Sequence, residues 1–155
     1  MKNFIGLETE KANTISSKLN ELLANYQLFY QNLRGFHWNI KGENFFELHL
    51  KFEELYNEAN VAVDEIAERI LTLQGQPLHS FTQYLNHASI KESVDVKNGR
   101  LAVEVIVANY GVLISLEREI LELAGDTNDE GTNSLMSDYI VASEKTVWML
   151  NSYLS

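Results

Sequence analysis

Histidines and carboxylates are the residues of this sequence whose types and spacing point most directly to chemistry. The chain has no cysteine, which excludes disulfides, thiolate zinc sites, iron–sulfur clusters and cysteine nucleophiles. Any metal must therefore be held by nitrogen and oxygen atoms, and mixed imidazole and carboxylate ligands suit iron or zinc without choosing between them. Two of the four histidines, His79 and His87, fall in a long connection and are predicted to be surface residues.

One predicted helix bears both kinds of ligand. With about 100° of rotation per residue, the flank beside its apolar stripe presents His49, Glu53, Asp64 and Glu68. At about 1.5 Å of rise per residue, His49 and Asp64 are about 22 Å apart along the axis. Because a metal lies about 2 Å from each ligand, these two residues cannot bind the same ion within one chain. The alternative interpretation of this flank is a solvated helix edge.

The two ends of this flank are therefore predicted to be two halves of a site. His37, at the end of the preceding helix, is expected beside His49, whereas Asp64 and Glu68 form a pair one turn apart. If two copies of the helix cross antiparallel about a two-fold axis, the histidines of one copy meet the carboxylates of the other. The alternative is a di-iron centre inside one bundle, which uses Glu-x-x-His on two helices, and that motif does not occur in this sequence.

Apolar residues that recur at three- and four-residue steps predict four long amphipathic helices that position these residues. The helices are expected at about 9–38, Phe45 to Leu73, Gly99 to Ala124 and Thr132 to Tyr153, with one or two helical turns within Phe81 to Asn86. The predicted fold class is all-α, a ferritin-like four-helix bundle with a short helix in the long connection between the second and third helices. The length of 155 residues favours a single domain, residues 1–155, with a short N-terminal tail of about residues 1–8.

The same periodicity predicts individual core positions. Asn44 is expected to cap the second helix. The apolar stripe of that helix is predicted to comprise Phe45, Phe52, Leu55, Tyr56, Ala59, Val63, Ile66, Ile70 and Leu73. The stripe of the third helix is predicted to comprise Leu101, Val105, Ala108, Val112, Leu116, Ile120 and Leu123. The fourth helix is expected to bury Leu135, Tyr139, Ala142, Val147 and Leu150, with Met136 and Met149 as core filler.

Composition restricts the possible partners. The chain has 22 acidic and 12 basic side chains, a formal charge of -10, which repels phosphate backbones and anionic lipids and attracts cations. No secretory signal is visible near Met1, and no apolar stretch approaches the ~18 to 20 residues of a membrane span. We therefore expect a cytoplasmic protein without a membrane segment.

Three segments in order give a specific resemblance. They are Leu33-Arg34-Gly35-Phe36-His37-Trp38-Asn39-Ile40-Lys41-Gly42, then Phe45-Phe46-Glu47-Leu48-His49, then Val63-Asp64-Glu65-Ile66-Ala67-Glu68-Arg69-Ile70. Together with His87-Ala88-Ser89-Ile90 and Lys145-Thr146-Val147-Trp148-Met149, these segments make the sequence resemble the Dps family, the mini-ferritins, from about residue 10 to Tyr153.

The resemblance implies a ferroxidase that oxidises Fe(II) with hydrogen peroxide or oxygen and stores the ferric mineral in a hollow homo-dodecamer. It implies iron sites at two-fold interfaces, with zinc as a possible substitute. His37 and His49 would be ligands from one subunit, and Asp64 and Glu68 ligands from its neighbour. Glu53 stands where many relatives have aspartate. Trp38 resembles the family's tryptophan beside the site, which takes up stray oxidising equivalents. The alternative functions are a non-enzymatic metal-binding cage and a DNA-compacting protein.

The resemblance also implies an acidic pore and raises the question of DNA binding. The family lines a three-fold pore with acids near the start of the last helix, and the corresponding acids are Asp126, Asp129, Glu130 and Asp138. Acids favoured by the dipole at a helix start are the alternative interpretation of this cluster. Ser134 stands where relatives often place a pore aspartate, and Asp138 lies one turn later. DNA binding in the family uses a lysine-rich tail, but neither end of this chain is a polycation, so DNA binding is not expected.

Overall fold

A computed structural model describes residues 1–155 and contains five helices and no strand. The helices are α1 (Thr9–Asn39), α2 (Phe45–Thr72), α3 (Phe81–His87), α4 (Gly99–Asp126) and α5 (Glu130–Leu154). The predicted all-α fold with a short helix in the long connection is confirmed. Each long helix begins and ends close to the predicted residues, because glycine, Pro77 and polar caps interrupt the apolar periodicity at these places.

Two helical hairpins form the bundle. α1 packs along α2, α4 packs along α5, and α1 also packs against α4 and the short α3. Between them lies one core cluster of buried apolar side chains, whose largest fully buried members include Phe29, Phe36 and Phe52. The predicted stripe of α2 is confirmed, since its residues are buried or packed against this core. In α5, Met136 and Leu150 are buried as predicted, whereas Ala142 is exposed.

The predicted core stripe of α4 is confirmed in part, since Val105, Val112, Leu116, Ile120 and Leu123 are buried or packed against the core, whereas Leu101 and Ala108 are exposed. The most buried residues of α4 lie beside this stripe and are Ala102, Val103, Ile106, Asn109, Tyr110, Leu113, Glu117, Ile120 and Ala124. α4 has apolar residues around most of its circumference, so periodicity alone did not select the face that packs. The true face also contains a buried carboxylate, Glu117, which a search for apolar positions overlooks.

The prediction that no segment is long and apolar enough to span a membrane is wrong for α4. Its length and composition satisfy the criterion for a membrane span, which no stretch of the sequence was expected to approach. A core helix of a bundle satisfies the same criterion, and α4 here packs against α1 and α5 with Asn109 and Glu117 among its buried residues. The apolar side chains of α4 are thus explained by packing within the bundle.

The long connection between α2 and α4 is fixed by asparagines of α1. The side-chain amide oxygen of Asn25 accepts hydrogen bonds from the backbone N–H groups of Ser89 and Ile90, at 2.9 and 2.8 Å. The Asn32 side chain accepts the N–H of Ser93 at 3.0 Å. Five residues before Asn25, the side chain of Asn20 forms hydrogen bonds with the backbone of the segment that follows α2. An irregular segment lacks the backbone hydrogen bonds of a helix or strand, and these asparagine side chains supply bonds in their place. The connection therefore lies in a defined position along α1.

The tight turn between α1 and α2 places the two histidine positions side by side. Gly42 has φ +95°, a left-handed conformation that glycine adopts without strain. Asn44 precedes α2 as predicted, but its own φ is +61° and its side chain makes no capping hydrogen bond. The Lys41 N–H donates to the Lys97 carbonyl at 2.8 Å, which ties this turn to the residues just before α4.

Candidate metal centre

His37 and His49 form a reciprocally bonded pair across this turn. The His37 Nδ1 lies 2.7 Å from the carbonyl oxygen of His49, and the His49 Nδ1 lies 2.8 Å from the carbonyl oxygen of His37. The two rings are stacked, with centroids 3.8 Å apart and an angle of 10° between their planes. The predicted proximity of the two imidazoles is confirmed, and each ring is fixed by the backbone of the other residue.

This arrangement determines the tautomer of both rings. A carbonyl oxygen only accepts hydrogen bonds, so each Nδ1 must be the protonated nitrogen. In the neutral imidazole the remaining nitrogen, Nε2, then has a free lone pair. A hydrogen bond from the other ring nitrogen to a backbone carbonyl is the usual orienting contact of a metal-binding histidine. The pair therefore presents two preoriented nitrogen donors.

Glu53 and Tyr56 complete the surroundings of His37 within the chain. One carboxylate oxygen of Glu53 lies 3.8 Å from His37 Nε2, one helical turn beyond His49. The Tyr56 ring contacts the His37 ring edge-on, with centroids 5.3 Å apart, and its hydroxyl lies 3.5 Å from Glu53. Glu53 thus joins the histidines, as its place on the flank predicted. Tyr56 was predicted only as a core residue, because nothing in the spacing reveals the direction of its hydroxyl.

Asp64 and Glu68 lie in the second half of α2 and are both exposed. The hydrogen bond with Asp64 and the charge of Asp64 raise the pKa of the Glu68 carboxyl above its ordinary value. Such mutual repulsion is expected when two carboxylates lie one turn apart. Within one chain, no three histidine or acidic side chains come close enough together to hold a metal ion. The histidines and this carboxylate pair therefore remain separate in the monomer.

Trp38 follows His37 but points away from the core, with 56% of its surface exposed. The guanidinium of Arg34 lies over its ring, 4.7 Å from the centroid. The predicted place of Trp38 beside the metal site and its role both stay predictions. By contrast, His79 and His87 are exposed, as predicted for surface histidines, and belong to no group of three potential metal ligands.

The acids near the start of α5 do not form one group. Asp126, Glu130 and Asp138 are exposed, whereas Asp129 is buried. Asp129 accepts a 2.6 Å bond from Arg69 at the end of α2 and caps α5 by accepting the Thr132 N–H at 3.0 Å. The Asp129 carboxylate is therefore bound by groups inside the bundle, in agreement with the helix-start interpretation. Asp129 is not available to line a pore. The pore role of the other three acids stays a prediction.

A bundle of four long helices, with a histidine pair across the α1–α2 turn and a carboxylate pair on α2, is typical of ferritin-like proteins. The family model described as "Ferritin-like domain" matches residues 16–155, nearly the whole chain.

Individual relatives narrow this class. The chain is 39% identical over 148 residues to the DNA protection during starvation protein of Porphyromonas gingivalis, covering 96% of this chain and 93% of that protein. The solved Dps protein of Vibrio cholerae O1 is 54% identical, with a TM-score of 0.98, and the match covers 99% of this chain and 97% of that one. The Dps protein of Bacillus brevis gives a TM-score of 0.92 at 35% identity, covering 96% and 100%. The chain belongs to the Dps family of ferritin-like proteins.

One of these relatives is described by the kind of metal centre that is typical of its superfamily. The Vibrio cholerae protein is described as a member of a broad superfamily of ferritin-like diiron-carboxylate proteins. The ligand types on α2, imidazole and carboxylate, are those that such a superfamily requires.

Proposed function

We propose that this protein is a ferroxidase and an iron store. In this proposal it binds Fe(II) as a substrate at sites shared between two copies, oxidises it with hydrogen peroxide or oxygen, and keeps the ferric product inside a hollow homo-dodecamer. The dodecamer and the mineral follow from the family resemblance. The residues proposed to bind iron are His37, His49 and Glu53 of one copy and Asp64 and Glu68 of another.

The observation that supports this proposal is the division of good ligands between the two ends of α2. The His37–His49 pair has its Nε2 lone pairs free, which favours metal binding over a purely structural contact. The Asp64–Glu68 pair places two carboxylates together, and a bound cation would relieve their mutual repulsion. Because the pairs lie about 22 Å apart on one straight helix, an antiparallel second copy is the simplest way to join them.

The chemistry proposed at the joined site is a two-electron reduction of peroxide. Each of two Fe(II) ions gives up one electron, the O–O bond breaks, and both oxygen atoms leave as water after protonation. Because both electrons reach the same peroxide, no hydroxyl radical is released. The imidazoles hold the first ion, and Glu53, with its extra methylene relative to aspartate, is proposed to reach the second. Trp38 is proposed to give an electron to any oxidant that escapes this route.

Protection of DNA by direct binding is not part of this proposal, although the relatives bear that name. Residues 1–8 contain one lysine and fold back on themselves, with the Met1 amine 3.4 Å from Glu8 and the Thr9 N–H bonded to the Met1 carbonyl. With a formal charge of -10, the described chain offers no cationic tail for a phosphate backbone. A gel-shift experiment with linear plasmid at physiological salt should therefore show no retardation.

Stopped-flow absorbance after mixing with Fe(II) and then peroxide tests the ferroxidase proposal. Replacing His37 or Asp64 by alanine should slow ferric-ion formation by at least about tenfold, since each change removes a ligand. His87→Ala is the matched control, because it removes an exposed imidazole outside the site and should leave the rate unchanged. If the wild-type protein oxidises iron no faster than the His37→Ala variant, the protein is a non-enzymatic cage that holds zinc or another cation.

A further inference from the structure

Tyr56 is the only side chain that donates a hydrogen bond to Glu53. Its hydroxyl lies 3.5 Å from one carboxylate oxygen of Glu53, and neither residue makes any other side-chain hydrogen bond. The two residues are three positions apart on α2, so their side chains lie on the same face of the helix. Glu53 is half-exposed and has no lysine or arginine partner, because the nearby Lys51 pairs with Glu54. No basic side chain therefore sets the direction of the Glu53 carboxylate.

The neighbouring imidazole does not hold the carboxylate either. The same oxygen of Glu53 lies 3.8 Å from His37 Nε2, which is too far for a hydrogen bond. Because His37 donates through Nδ1 to the His49 carbonyl, Nε2 of the neutral ring bears a lone pair and has no proton to donate. A lone pair and a carboxylate oxygen are both acceptors, so they do not attract each other. A donor from elsewhere must therefore hold Glu53 beside the histidines.

The ring of Tyr56 is fixed by its own packing. It is half-buried against the core and contacts two rings of α1, with centroids 6.0 Å from that of Tyr30 and 5.3 Å from that of His37. The angles between the ring planes are 80° and 82°, which is the favourable edge-to-face arrangement. The position of the Tyr56 hydroxyl is therefore determined by the contact between α1 and α2, and does not depend on Glu53.

We propose that Tyr56 is a positioning residue that keeps the Glu53 carboxylate directed at the cation site beside His37 and His49. This inference rests on the proposed function, in which Glu53 binds the second Fe(II) ion. A long side chain loses conformational freedom when it binds a cation, and a carboxylate that is already oriented loses less. The Tyr56 hydroxyl bonds one oxygen of Glu53 and leaves the other oxygen without a hydrogen bond. Tyr56 acts through Glu53 and is not itself a ligand.

Calorimetric titration of the purified, metal-free assembly with Co(II) tests this role, since Co(II) accepts the same imidazole and carboxylate ligands as Fe(II). The wild type should bind two ions at each site. Tyr56→Phe keeps the ring and removes only the hydroxyl, so it should weaken the second ion about three- to tenfold and leave the first unchanged. Tyr84→Phe is the matched control, because its hydroxyl bonds only the Leu78 carbonyl, and it should bind both ions as the wild type does.

A crystal structure of the metal-free Tyr56→Phe assembly gives a second readout that depends on neither metal nor activity. The Glu53 carboxylate should leave its place beside His37 or occupy several conformations, whereas the ring at position 56 and both histidines should stay in place. The inference is overturned if Glu53 does not move, if the variant binds both ions like the wild type, or if it weakens both ions equally, as a purely structural role would. A wild type that binds no Co(II) would refute the proposed function and this inference with it.

Discussion

Replacing Glu117 by glutamine is expected to make the stability of the bundle less dependent on pH. The Glu117 side chain is completely buried on α4, and one of its carboxylate oxygens accepts a 2.8 Å hydrogen bond from the Tyr26 hydroxyl. The other oxygen has no hydrogen-bond partner. Burial raises the pKa of this carboxyl from 4.5 to about 7, although the bond from Tyr26 and the charge of Arg118 lower it in part.

The size of the effect follows from this pKa. In the unfolded chain the carboxyl ionises near pH 4.5, whereas in the bundle it stays neutral until about pH 7. The native state is therefore fully favoured by this group below pH 4.5 and loses that advantage as the pH rises to 7. The loss is about 3 kcal/mol, at about 1.4 kcal/mol for each pH unit. Glutamine has the shape of the neutral acid and does not ionise, so Glu117→Gln should gain this amount above pH 7.

Thermal unfolding of both proteins at a fixed subunit concentration, between pH 4.5 and 8, measures the difference. The concentration is held constant because assembly itself contributes to stability. The two transition temperatures should nearly coincide at pH 4.5, and the variant should unfold several degrees higher at pH 8. Glu122→Gln, an exposed residue of the same helix, is the control and should show no such divergence. A Glu117→Gln variant that is less stable than the wild type at pH 8 would refute the reasoning.

Two further changes test how the bundle holds its irregular parts. Asp129→Ala breaks a buried ion pair with Arg69 and removes the cap of α5, so chemical denaturation should show a loss of about 3 kcal/mol, whereas the exposed Asp126→Ala should lose little. Asn25→Ala leaves the N–H groups of Ser89 and Ile90 without an acceptor; hydrogen exchange of these two amides should accelerate, with a stability loss of about 2 to 3 kcal/mol. Unchanged exchange at both amides would show that α1 does not anchor the connection.

Much of this architecture could be predicted from the sequence because the signals are local. Helix α2 ends at Thr72, shortly before Gly75 and Pro77, and α4 begins at Gly99. The proximity of His37 to His49 follows from the short turn between α1 and α2. The face of α4 was predicted only in part because that helix is apolar around most of its circumference, so its exact orientation depends on which neighbours it meets.

The remaining features depend on contacts between distant parts of the chain. No spacing rule shows that Asp129 is held by Arg69, since this contact depends on which helices pack together. The proposed shared iron site depends in addition on how two copies of the chain pack together. In a single chain, the only sign of this packing is the separation of the proposed ligands.

Complementation between two inactive variants tests the shared site most directly. One variant lacks both histidines, His37→Ala with His49→Ala, and the other lacks the carboxylate pair, Asp64→Ala with Glu68→Ala. After co-assembly in equal amounts, half of the two-fold pairs are mixed and each mixed pair regains one of its two sites, so about one quarter of the wild-type rate of iron oxidation should return. A mixture no more active than either variant alone would contradict a site built from two chains.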